Sequence, residues 1–140
     1  MIRSLFRFSV SSGLAGMGFG IFMGVTQDFM LAPAHAHLNL LGFVTMFLSA
    51  LYYRAFPEAA MRLAFYQSIV SMVGAVLFPI GIACVLLGGH DRFEPVVVAG
   101  ALTVFLGMAL FAVIVYRTAD PADRSAPARI RPLTAPKDAA

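Results

Sequence analysis

The chain reads as an all-α membrane protein: four transmembrane helices in an up-down bundle, with both termini cytoplasmic. Three observations predict this. The 140 residues are 60% hydrophobic and only 12% charged, with a mean hydropathy of +0.85, too apolar for a water-soluble domain. Four apolar runs, at about 6–25, 33–53, 64–87 and 95–116, each approach the ~20 residues a helix needs to cross hydrocarbon. The cations are one-sided. An even number of spans puts the N-terminus, the middle connection and the tail on one side, and these hold Arg3, Arg7, Arg54, Arg62, Arg117, Arg124, Arg129, Arg131 and Lys137. Only Arg92 lies opposite. The positive-inside rule makes the crowded side cytoplasmic, in a bacterial inner membrane. The net charge of +3 therefore speaks of orientation, not of nucleic acid.

The first span carries Gly16, Gly20 and Gly24 at four-residue intervals, with Gly13 one turn earlier. On a helix they form one smooth stripe, against which a neighbouring backbone or a planar cofactor can lie closely. The basic N-terminus, the apolar run and the triplet Ala34-His35-Ala36 imitate a secretory signal. The apolar run is too long for one, and a second span follows at once, so the segment is read as a retained helix.

In the second span Pro33 suits a first helical turn, where its missing N–H would have no partner. At 100° per residue His35, Asn39, Gly42, Met46, Ser49 and Tyr53 share a stripe. His37 lies about 200° from His35, so a helical pair cannot chelate one ion together. The third span has a kink predicted at Pro79, sparse polar residues (Gln67, Ser68, Ser71) and the lone Cys84, read as a packing residue. A loop over 88–95 carries His90, read as a solvated histidine, and Arg92. The fourth span has Thr103 as its one polar side chain, with Gly100 and Gly107 as a small packing face. Residues 1–117 thus make the membrane domain. The stretch 118–140, rich in Ala, Pro, Arg and Asp, is predicted to be a disordered cytoplasmic tail.

No Gly-rich phosphate loop, Ser–His–Asp set or paired-carboxylate site is present, and no catalytic residue is assigned. No acidic residue falls inside a predicted span, against a proton-pumping relay. Function therefore turns on the two histidines, because imidazoles in a span face a partner, a cavity or a metal. Three partners compete. Haem iron takes imidazole as an axial ligand, and haem b would use the glycine stripe for its ring and Arg92 for its propionates. Copper or zinc also binds imidazole, but two ligands do not close a site. The third partner is no metal, with the histidines hydrogen-bonded locally. The candidate cofactor-binding residues are His35, His37, Asn39, Gly42, Gly16, Gly20 and Arg92, with His37 and His35 as the metal ligands.

The segment APAHAHLNLLGFVTMFLSALYYR resembles a helix of subunit I of the haem–copper oxidases and nitric oxide reductases. There a His-x-His pair lies near the outer start of a transmembrane helix, and a glycine and an aromatic follow at the spacing of Gly42 and Phe43. The resemblance implies that His35 corresponds to the high-spin haem ligand and His37 to the low-spin one. Family subunit I has three arcs of four helices, with ligands on the second helix of each arc. This chain resembles one arc. It lacks the histidines of the other arcs, the histidine–tyrosine pairing and an intramembrane glutamate, so oxygen reduction is not expected of it alone.

The expected function is accordingly a b-type haem-binding membrane protein for electron transfer or diatomic-gas binding. A homo-oligomer, trimer or dimer, would supply the missing ligands, with a respiratory-chain component as a candidate partner. The alternatives are a metal-free accessory or assembly protein and a copper-binding membrane protein.

Overall fold

A computed structural model describes residues 1–59 and 62–118. All its elements are helical. Helix α1 runs Ile2–Thr26, α2 Ala32–His37, a π-helical segment Leu38–Thr45, α3 Met46–Ala55, a 3₁₀ turn Pro57–Ala59, α4 Arg62–Gly88 and α5 His90–Thr118. Four stretches are long and apolar enough to span a membrane: Ile2–Thr26, Ala32–Ala55, Arg62–Gly88 and Asp91–Thr118. Each overshoots its apolar run at both ends. The reason is that intrahelical bonds satisfy the backbone through the interface as well as in hydrocarbon, so the flanking charges extend the helices. Of the predicted tail, 118–140, Thr118 closes α5 and the rest lies outside the described residues, as does the side chain of His90.

Two expectations are corrected. The 88–95 loop is almost entirely helix: α5 starts at His90, and the turn reduces to Gly89 at φ 96. Only glycine takes that left-handed conformation without strain. Asp91 and Glu94 consequently sit in the first turns of the fourth span rather than outside it. The second span is not one α-helix but two α-helical pieces joined by the π segment. Its wider turns carry one residue more than α-turns, and the Thr45 hydroxyl donates to the Leu40 carbonyl, five residues back, at 2.8 Å. The buried stripe nevertheless survives, with Gly42, Met46, Ser49 and Tyr53 all buried.

The first span packs on the second, the second on α4, and α4 on α5. Near the termini all four contribute to one apolar core of Leu5, Met46, Ala50, Tyr53, Ala64 and Ile114. The α4–α5 seam is closest because both helices present small residues to it. Gly74 and Gly81 of α4 face Val104 and Val97, while Gly100 and Gly107 of α5 face Phe78 and Ser71. A methyl on Gly100 would stand 2.7 Å from the Phe78 Cα. Without a hydrophobic drive between helices in lipid, such close van der Waals contact holds them together. Helix α4 continues through Pro79, which is buried.

Polar glue joins three spans at the Ser71–Gly107 end of this seam. The Tyr53 hydroxyl donates to Gln67 Oε1 at 2.8 Å, and Gln67 Nε2 donates to Ser71 Oγ at 2.9 Å and to the Gly107 carbonyl at 3.4 Å. Tyr53 also packs its ring edge-on to Phe111, and the Tyr52 hydroxyl pairs with Thr118. Among the described residues no buried side-chain polar atom lacks a partner.

Candidate functional site: two imidazoles facing different helices

The turn that presents the histidines is built locally. Gln27 ends α1 in the left-handed conformation (φ 55), and Asp28 Oδ1 accepts the Met30 N–H at 3.0 Å, closing an Asx turn. Pro33 then occupies the first turn of α2, its ring pre-set for helix. Helix α2 packs between α1 and α4, so residues two apart on it meet different neighbours.

His35 turns toward α1. Its ring meets Phe19 edge-on, centroids 6.0 Å apart, and lies over Gly20, where a methyl would come within 2.9 Å of Cε1. Asn39, one turn on, donates to the His35 backbone carbonyl at 3.1 Å and stands 3.4 Å from each ring nitrogen. The carbonyl bond is the stronger, since 3.4 Å is long for an N–H donor. Asn39 fills the space above Gly16, Phe43 that above Gly13, and Gly42 lets Ser12 approach from α1. Gly13, Gly16 and Gly20 of the stripe are therefore occupied by the second span, while at Gly24 nothing stands within 4 Å. Gly16, Gly20 and Gly42 seat helix on helix, and a flat ligand would have to displace His35, Asn39 and Phe43.

His37 turns the other way. Its ring is half-buried and meets Phe78 of α4 edge-on at 4.9 Å, with planes at 84°. Nδ1 lies 2.7 Å from the Pro33 carbonyl oxygen. A carbonyl only accepts, so Nδ1 carries a proton, and the neutral tautomer compatible with this bond has its lone pair on Nε2. A histidine that donates one ring N–H to a backbone carbonyl and offers the other nitrogen is arranged as metal-bound histidines commonly are. The bond fixes both tautomer and ring orientation.

The two imidazoles do not converge. Among the described residues no three His, Cys, Asp or Glu side chains come together around one point. Arg92 is exposed on the first turn of α5, its guanidinium 5.5 Å from the centre of the Phe93 ring. The direct packing partners of α2 are α1, the π segment and α4 rather than α5. Two features escaped the sequence reading. The π segment has no compositional signature. The Tyr53–Gln67–Ser71 chain had one, since all three were visible as polar groups in apolar runs, but their meeting across two helices depends on register. No known protein family, curated protein or solved structure matches the chain, so its function must be read from these residues themselves.

Proposed function

We propose that the chain is a b-type haem-binding integral membrane protein, with His37 Nε2 as the axial ligand. It would act in electron transfer or in binding a diatomic gas. The observation that carries the reading is the 2.7 Å bond from His37 Nδ1 to the Pro33 carbonyl, which holds the imidazole in the ligating tautomer. Haem, when bound, supplies one-electron chemistry and a site for a gas ligand. The chain supplies an oriented ligand, an apolar wall at Phe78 and low local polarity. His35 serves differently: it is packed into α1 and anchors the second span. Among the described residues one imidazole is free, and we assign a second iron ligand to another copy in a homo-oligomer. The cation distribution supports both termini being cytoplasmic and the histidines lying toward the outer leaflet.

An optical spectrum of protein from haem-replete cells tests this. A Soret band with reduced-state α and β bands is expected, lost in His37→Ala and retained in His35→Ala where that variant folds. A colourless wild-type preparation overturns it. One observation favours a second reading, a metal-free accessory protein: His35 and the stripe glycines Gly13, Gly16 and Gly20 are engaged in helix packing. On that reading neither histidine variant changes the spectrum.

A further inference from the structure

A recess of about 150 Å³ lies between the second span, α4 and α5, on the termini side of the π segment. Its floor is polar and its mouth apolar. Thr45, Ser49, Gln67 and Ser71 are its polar lining, and of these Ser49, Gln67 and Ser71 are buried, at 2%, 2% and 8% exposed. The mouth is framed by Leu48 and Met108, which are 58% and 49% exposed. Both belong to helices that span the membrane, so the recess opens toward lipid tails rather than water.

The hydrogen-bonding of the floor leaves one group in hand. Thr45 donates to the Leu40 carbonyl and Ser49 to the Thr45 carbonyl. Gln67 is engaged at both ends, accepting from Tyr53 and donating to Ser71 and Gly107. Ser71 Oγ accepts from Gln67, and among the described residues its hydroxyl proton has no acceptor. The recess therefore presents one O–H donor at the base of an apolar slot. An apolar cavity of about 150 Å³ is the size that holds a benzene ring.

From this geometry we infer that the recess binds the ring-sized, carbonyl-bearing head of a membrane-dissolved molecule, an alkylated quinone by chemical class, with Ser71 donating to the carbonyl. The head enters between Leu48 and Met108 and its tail stays in lipid. The inference does not rest on the haem reading, because none of these residues touches His35 or His37. A colourless protein would bind equally.

The test uses the full chain in lipid nanodiscs, photolabelled with an azido-alkylbenzoquinone. Decylbenzoquinone and decylbenzene serve as competitors, and labelled peptides are mapped by mass spectrometry. Saturable labelling confined to 41–49, 67–71 and 104–111 is expected, competed by decylbenzoquinone. Ser71→Ala should weaken that competitor about five- to tenfold, the worth of one hydrogen bond, and leave decylbenzene unchanged. Leu48→Trp, which blocks the mouth from an exposed position away from the α4–α5 seam, should abolish labelling. Labelling elsewhere, labelling that does not saturate, or labelling unaffected by Leu48→Trp overturns the site. Recess labelling with equal affinity in Ser71→Ala overturns the carbonyl head and leaves an unselective lipid cleft.

Discussion

His35 and His37 differ in what each ring can still do, although a single alanine separates them. His35 has a helix on its face: Gly20 beneath it, Phe19 at its edge and Asn39 beside it. His37 has one nitrogen bonded and the other free to ligate. The same close packing makes the α1 glycines unequal. At Gly16 a methyl would lie 2.6 Å from the Asn39 Cγ, whereas at Gly18 nothing stands within 4 Å. Gly16→Ala must push Asn39 off the His35 carbonyl, and a loss of about 1–3 kcal/mol is expected from overpacking of this kind. Gly18→Ala should cost nothing. Thermal denaturation in detergent compares the two, and equal effects would mean that the second span does not sit on this stripe.

Within the second span, the π segment is the element that sequence periodicity could not anticipate. A π-turn amounts to an α-turn with one extra residue, so removing a residue there restores α geometry while both flanking faces keep their partners. Deletion of Leu40, which is 55% exposed, should therefore give a folded, extractable protein. Deletion of Ile69 in α4, at 44% exposed, should not, because it rotates one part of an α-helix against the other by about 100° and drags Gln67 away from Tyr53. Size-exclusion profiles of the two deletions report the outcome. The Tyr53–Gln67 bond is itself an element-level tie. Tyr53→Phe leaves Gln67 Oε1 buried without its donor and should cost about 1 kcal/mol, the usual scale for a hydrogen bond between membrane helices. In a double-mutant cycle with Gln67→Leu, the losses should be less than additive. Strict additivity would show that the bond is not formed.

For the molecule as a whole, each pair of neighbouring spans is joined by a different device. The first and second meet through glycines filled by polar side chains, the second and α4 through the Tyr53–Gln67 bond, and α4 and α5 through a glycine-lined seam. None of these contacts brings a second imidazole to His37. On the haem reading a second ligand would come from another copy of the chain, and native mass spectrometry from nanodiscs should then give a dimer or trimer that carries the pigment. A pigmented monomer would mean that one histidine suffices and that the oligomer is not part of the site.

Span number and approximate limits were legible in the chain because burying a helix in hydrocarbon demands a run of about 20 apolar residues, a local property. The opposition of His35 and His37 was legible for the same kind of reason: helical geometry over three residues is local, and α2 stays helical there. Helix ends were less so, since charged residues at an interface neither forbid nor demand a helix, and α5 begins at His90 through residues that read as loop. What only the tertiary structure decided is which neighbour each face meets. That filled Gly20, Gly16 and Gly13 of α1 with His35, Asn39 and Phe43, opened the recess beside Ser71 and brought Gln67 to Tyr53. These outcomes depend on helix register and on side-chain volumes summed across separate spans, and no single span encodes them.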